Sequence, residues 1–311
     1  IYALDPELDN SWGVKRIGAG QVHSDNKGTG VRVAVIDSGI DYTHTDLDGN
    51  FAGGYDFVQD DSDPMDVCGH GTHVAGILAA EDDDSGVVGV APEADIYALR
   101  VLGDDCKGYY SNVIRALEWA VGNGIQVTNN SYGSRGNPGE TVKAAFDTAY
   151  AAGIVHAGAA GNNGNSLGSG DNCIYPALWD SIIAVAATDK DDSRAAFSST
   201  CPEVELAAPG VAVNSTWIGG GYREASGTSM ATPHVAGTAA LVIASGISNN
   251  DEVRLRLRET AYDLGKKGRD KQYGFGLVNA LAAAASDSTG PAVTGVDPAD
   301  GATAVDVATN I

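Results

Sequence analysis

The sequence is short of basic residues: 19 lysines and arginines stand against 41 aspartates and glutamates, a formal net charge of −22. A surface that acidic repels nucleic-acid backbones, so DNA and RNA are excluded as partners. It favours solubility, suits salty water or bound cations, and destabilises the compact state by self-repulsion at low ionic strength. Long apolar runs are also missing. The longest stretches, such as 276–285, are too short to cross a bilayer, and no membrane anchor is expected. No Cys-x-x-Cys pair occurs, which argues against a zinc or thioredoxin-like site. The four cysteines, Cys68, Cys106, Cys173 and Cys201, allow two bridges in three possible pairings, or four buried thiols in a cytosolic enzyme. The chain begins at Ile1 with no signal peptide, so it is expected to be a processed or excised piece of a longer precursor.

What is present points to one large α/β domain. Hydrophobic residues make up 43% of the 311 positions, enough to bury a sizeable core. Residues 31–36 (VRVAVI) form a β-branched run ending in Asp-Ser-Gly, the pattern of a buried strand feeding a loop. Similar runs follow at 96–102, 125–129, 154–159 and 182–187. Helical patterns lie between them at 70–80, 111–121 and 140–152. This alternation predicts a mainly parallel sheet in a three-layer domain, with helices on both faces and binding sites at the carboxyl ends of the strands. A long helix is expected over 228–245 with Pro233 in its first turns, followed by helices at 251–260 and 277–285. Residues 1–286 read as the catalytic domain. Residues 287–311, rich in Gly, Pro, Asp and Thr, read as a linker or the start of a C-terminal β-rich, immunoglobulin-like module.

Three segments carry chemistry. Asp37 lies in IDSGID at the end of the first strand, His70 in GHGTHVAG and Ser229 in GTSMATPHVAG. Singly, each has an ordinary structural reading: a strand-end turn former, a buried histidine, and a helix N-cap at Thr228 or Ser229. Together they are the parts of an acyl-transfer site. A serine hydroxyl is a weak nucleophile at neutral pH and needs a base, imidazole titrates near neutrality, and a carboxylate holds the ring in one tautomer. A serine at a helix start also turns its own N–H toward developing negative charge.

These segments, in the order Asp, His, Ser, resemble the signature motifs of the subtilisin-like (subtilase) family over residues 12–284. That chain order is the one known for subtilisin itself. The resemblance implies a secreted serine endopeptidase that cuts unfolded or extended polypeptides through an acyl-enzyme, matured from an N-terminal propeptide and working as a monomer. It assigns Asn162, in HAGAAGNNGN, as the side-chain oxyanion donor. Lys107, Gly108 and Tyr109 on one side and Ser131, Tyr132 and Gly133 on the other become edges that flank the substrate backbone, with Tyr110 at a distal apolar pocket. Ala159, Ala160 and Gly161 line the primary pocket with Ile174 near its floor, which implies apolar or aromatic residues before the cut.

The resemblance extends to calcium and to the cysteines. EDDDSGVVG implies a calcium loop held by the side chains of Asp46 and Asp83 and the carbonyls of Glu81, Ser85 and Val87, completed by Asp5 or Asp9. The cluster DFVQDDSDPMD implies a second site at Asp56, Asp61 and Asp66. All these donors are oxygens, which suits calcium rather than zinc. Aqualysin-like members place cysteines close to Cys68–Cys106 and Cys173–Cys201, although Cys68 occupies a position where the family usually has asparagine. The remaining histidines, His23, His44, His73, His156 and His234, read as structural. A silent scaffold would have lost one of these groups. A lipase or esterase would carry Gly-x-Ser-x-Gly and the order Ser, Asp, His, and this chain has neither.

Overall fold

The computed structural model describes residues 6–285, so Asp5 and the segment 287–311 lie outside the described residues. Nine strands occur in chain order: β1 (Arg32–Asp37), β2 (Phe51–Asp56), β3 (Asp95–Arg100), β4 (Val127–Asn130), β5 (Val155–Ala159), β6 (Ile182–Thr188), β7 (Val204–Pro209), β8 (Val213–Trp217) and β9 (Gly221–Ala225). The helices are α1 (Pro6–Asn10), α2 (Trp12–Arg16), α3 (His70–Ala79), α4 (Tyr110–Gly122), α5 (Glu140–Ala151), α6 (Thr228–Ala244), α7 (Asn250–Glu259) and α8 (Ala280–Ala283). The first seven strands form one parallel sheet in the order β2-β3-β1-β4-β5-β6-β7, and β8 and β9 make a separate antiparallel pair. Among the described residues, no helix is long and apolar enough to cross a membrane.

The period of a strand divides β1 between two cores. Val33 and Val35 pack on the face covered by α3 and α6, while Ala34 and Ile36 pack on the face covered by α4 and α5. Both faces are therefore buried, which is why the parallel strands read as continuous apolar runs. α6 crosses the first face as a nearly fully buried helix, with its apolar residues all round rather than on one stripe. β1 lies between β3 and β4, so its carboxyl end opens at the middle of the sheet and carries Asp37 there.

Elements the sequence does not advertise have physical causes. β2 (FAGGYD) is an edge strand with two glycines and little alternation. β7 (VELAAP) buries Glu205, neutralised by Arg254 and Arg258 from α7, and ends in a proline. The helix expected over 277–285 shrinks to Ala280–Ala283, because Leu277 and Val278 are taken into bridges and backbone bonds with Tyr262 and Ala207.

Candidate active site

Asp37 sits fully buried at the end of β1, and its Oδ1 accepts both the Ser38 N–H at 2.7 Å and the His70 Nδ1–H at 2.7 Å. His70 is the first residue of α3. The chain enters this helix through Gly69 at φ 95°, where a side chain would also run into the Trp217 ring. The helix start is held from below by Asp66. Its carboxylate accepts the N–H groups of Cys68 and Gly69 on one oxygen, and the Thr72 N–H and hydroxyl on the other. Burial alone pulls the His70 imidazole below its ordinary value. The charge of Asp37, its hydrogen bond and the charge of Asp66 outweigh that, so the pKa lies above the ordinary histidine value.

Ser229 is the second residue of α6. Its carbonyl would ordinarily bond the N–H four residues on, but that residue is Pro233, which has none. The Ser131 hydroxyl donates to the vacated carbonyl at 2.9 Å, and the Ser229 hydroxyl in turn donates to the Ser131 carbonyl at 3.0 Å. The strand edge after β4 is thus fastened to the start of α6.

Asn162 follows β5. Its Oδ1 accepts the Thr228 N–H at 2.9 Å and the Thr228 hydroxyl at 3.0 Å, and that hydroxyl also accepts the Gly161 N–H. With both of these donors on its oxygen, the amide is locked with its NH2 as the free end. The Thr228 hydroxyl, expected at most as a helix cap, instead orients Asn162. Its only sequence signal was adjacency to Ser229, so its role was invisible without the fold.

The expected substrate edges come together. A cavity of about 430 Å³ is lined by His70, Leu102, Cys106, Lys107, Gly108, Tyr109, Tyr110, Ser131, Tyr132, Gly133 and their neighbours. Gly108 pairs with Leu102 on one side, and Tyr110 donates to the Tyr175 carbonyl on the other. Ala159, Ala160, Gly161 and Ile174 do not line that cavity; the Ile174 N–H donates to the Ala160 carbonyl, and its side chain lies beside Gly133 and Gly161. The disulfides are Cys68–Cys106 and Cys173–Cys201, with Cα atoms 5.7 and 5.9 Å apart. The first joins the loop before His70 to the loop before Lys107.

The acidic loop after α3 is ordered by residues from three elements. Asp46 is buried, and it accepts the Val87 N–H through Oδ2 and the Tyr222 hydroxyl through Oδ1. A Cβ at Gly86 would meet that Oδ2 at 2.4 Å, so the loop closes tightly over the carboxylate. Among the described residues, the N-terminal carboxylate at this loop is Glu7 rather than Asp9. Glu7 is buried in α1 and accepts the N–H groups of Asp83 and Ser85, whereas Asp9 is exposed and paired with Lys15. Burial, with the carboxylates of Asp83 and Asp82 beside it, pushes Glu7 up to about 7 against those two bonds. Glu81 turns its own carboxylate to the Gly49 N–H. All-oxygen donors around buried carboxylates fit a hard divalent cation.

At the second expected calcium cluster the carboxylates also hold protein groups. Asp56 is buried in an ion pair with Arg100 and accepts the N–H groups of Val58 and Gln59, Asp61 caps the Asp63 N–H, and Asp66 serves the α3 start. These Asx-type bonds fold the loop locally. A geometric grouping of Asp171, Cys201 and Glu203 offers no thiolate, since Cys201 is disulfide-bonded. The other histidines bond backbone or hydroxyl oxygens: His23 to Val90, His44 to Gly221, His73 to Arg223, His156 to the Thr128 hydroxyl and His234 to Met230.

A parallel α/β sheet with a buried carboxylate, an imidazole on it in the cleft wall, and a serine at a helix start whose hydroxyl bonds Ser131 of that wall defines a serine hydrolase of the peptidase type. Comparison with known proteins agrees. The profile of the subtilase family of peptidases matches residues 28–276. Subtilisin DY of Bacillus licheniformis is 47% identical over 276 residues, covering 88% of this chain and 98% of its own. Subtilisin E of Bacillus subtilis (strain 168) is 47% identical over 277 residues, covering 88% of this chain and 71% of its own. A thermostable alkaline protease of Halalkalibacterium halodurans is 45% identical over 271 residues, covering 86% and 72%. The chain belongs to the subtilase family and is a serine endopeptidase.

Proposed function

We propose that Ser229 is the nucleophile, His70 the general base and acid, Asp37 the carboxylate that orients it, and Asn162 with the Ser229 N–H the oxyanion donors. The Ser229 oxygen attacks the scissile carbonyl carbon while Nε2 of His70 takes its proton, and the imidazolium is steadied by Asp37. The carbonyl oxygen gains the charge and is met by the Asn162 amide. Collapse breaks the C–N bond as His70 returns the proton to the leaving amine, leaving an ester on Ser229. Water, deprotonated by the same base, then releases the acid and restores the hydroxyl. The observation that carries this reading is the 2.7 Å bond from His70 to a fully buried Asp37 at the sheet's carboxyl end, in the wall of the cleft.

The substrate is held as an extended strand between 107–109 and 131–133, so affinity comes mainly from main-chain pairing. The walls at Ala159, Ala160 and Gly161 favour an apolar side chain before the cut. Two disulfides fit an oxidising, extracellular setting, and the enzyme is read as secreted, made with an N-terminal propeptide and active as a monomer. A calcium ion held by Asp46, Asp83, Glu7 and the carbonyls of Glu81, Ser85 and Val87 neutralises the acidic loop. Residues 287–311 serve as a linker or the opening of a further module.

The test is hydrolysis of an unfolded protein in calcium buffer by this chain and its Ser229→Ala variant, with fluorophosphonate labelling mapped on both. Cleavage lost in the variant, with label on Ser229 of the parent, is the expected result. A folded parent that neither cleaves nor labels would sink the assignment.

A further inference from the structure

We infer that a buried line of hydrogen bonds, Tyr132–Asn130–Thr128–His156, fixes the cleft edge at 131–133, and that Thr128 and His156, outside the cleft lining, are positioning residues for extended substrates. The inference rests on the peptidase reading above and deepens it. Val127 of β4 belongs to the core covered by α3 and α6, so strand alternation turns Thr128 and Asn130 to the opposite face, against α4 and α5. His156 stands beside Thr128 in the parallel register of β4 and β5, on that same face. All three are fully buried, on a face otherwise built from residues such as Ala34, Ile36, Leu117 and Phe146. A polar group in such a layer costs stability unless it is bonded.

The partners form one line. The Tyr132 hydroxyl donates to Asn130 Oδ1 at 2.8 Å. The Asn130 amide donates to the Thr128 hydroxyl oxygen at 2.8 Å and to the Ala157 carbonyl at 3.1 Å. The Thr128 hydroxyl in turn lies 2.6 Å from His156 Nδ1. That hydroxyl already accepts from Asn130, so its own proton is free for the ring nitrogen, and burial keeps the imidazole neutral with an acceptor to offer. The far end is held by packing, since the His156 ring stands edge-on to Phe146 with centroids 5.3 Å apart. The near end is the substrate edge. Tyr132 lines the cleft, and Ser131, between Asn130 and Tyr132 in the chain, accepts the Ser229 hydroxyl at 3.0 Å. Apolar side chains would fill this layer as well; directional bonds add a fixed orientation for the edge.

The experiment compares a tetrapeptide anilide, which spans the edge, with a single-residue ester, which does not. Thr128→Val removes the central hydroxyl at nearly constant volume. It is expected to lower kcat/KM on the tetrapeptide by about fivefold to tenfold, through KM, with the ester within about twofold, the scale of one lost buried hydrogen bond. Thr128→Ser keeps the hydroxyl and should stay within about twofold of the parent on both substrates. Tyr132→Phe, which leaves the core untouched, breaks the line at its other end and should show the same tetrapeptide loss. Combined with Thr128→Val it should add little, because both cut one line. An unchanged tetrapeptide KM in folded Thr128→Val or Tyr132→Phe, a Thr128→Ser as impaired as Thr128→Val, or additive losses would overturn the positioning role and leave the peptidase standing. A parent that hydrolyses neither substrate would overturn both.

Discussion

At the scale of single residues the site works through oriented partners. Thr228 is the clearest case, since its hydroxyl and N–H both sit on the oxygen of Asn162. Thr228→Val keeps the volume and the N–H but removes the hydroxyl's bond to Asn162 and the one it accepts from the Gly161 N–H. Turnover is expected to fall by about tenfold, the worth of one hydrogen bond of about 1–1.5 kcal/mol, with KM nearly unchanged because the amide acts on the transition state. Steady-state kinetics on a peptide substrate check this, and a rise in KM alone would contradict it. The His70 shift makes a second prediction. Catalysis needs neutral imidazole, and a pKa above the ordinary value keeps the proton on to higher pH, so activity should rise along an acid limb centred above about 6.5. Asp66→Asn removes one of the charges that raise it, and the limb should move to lower pH. A pH–rate profile in which the variant's limb stays put or moves upward would show that Asp66 does not reach the base.

At the scale of elements, the site is assembled by joints between loops rather than by any one helix. Pro233 frees the Ser229 carbonyl, and Ser131 occupies it, which couples the substrate edge to α6. The disulfide Cys68–Cys106 does the same between the approach to α3 and the edge at 107–109, closing a sequence separation of 38 residues. Cys173–Cys201 closes 28 residues, away from His70. In the chain-entropy picture each is worth about 3–4 kcal/mol. Replacing either pair by alanines should lower the melting temperature by about 10 °C for a domain of this size. The loss of Cys68–Cys106 should also raise KM, because it anchors the cleft edge at 107–109, whereas Cys173–Cys201 lies beside Ile174 and away from that edge. Calorimetry and kinetics on both double variants separate the two effects, and equal KM values would remove the cleft role.

At the scale of the molecule, charge and buried histidines set the response to solvent. Burial pushes His73 and His234 down to about 4 and His156 to about 3, so all three are neutral in the folded chain. The unfolded chain takes up those protons near the ordinary value of about 6.5. Between that value and the folded ones the unfolded state binds more protons, so their contribution is complete above about 6.5 and is lost as the pH falls toward 4. His70 acts in the opposite sense, as do the raised carboxyls of Glu7, Glu81 and Asp66. The histidine shifts are larger than those of His70, Glu81 and Asp66, however, and a bound calcium ion would hold Glu7 ionised. Denaturant midpoints in calcium buffer should therefore fall from pH 7 to pH 5, and a flat or rising series would contradict the buried neutral histidines. With a net charge of −22, calcium removal at low salt should destabilise the chain more than at high salt, where screening relieves the same repulsion.

Much of this molecule is written locally. The β-branched runs, the helical periods between them and the three motif segments depend on neighbours in the chain, and the parallel α/β body and the residues Asp37, His70 and Ser229 were legible from them. Where a side chain's task depends on residues distant in sequence, the sequence was silent. β2 and β7 are held by their places in the sheet and by partners such as Arg254. Glu7 replaces Asp9 at the acidic loop because α1 turns that carboxylate inward. Asp56 and Asp66 look alike in a row of acids, yet one pairs with Arg100 and the other holds the start of α3. Ile174 lies beside Gly133 and Gly161, from the loops after β4 and β5, a proximity no local pattern shows. Local pattern determined which elements form and which chemistry they carry. Tertiary packing alone decided which polar groups were already spoken for and how much room the cleft leaves, because both depend on distances between segments far apart in the chain.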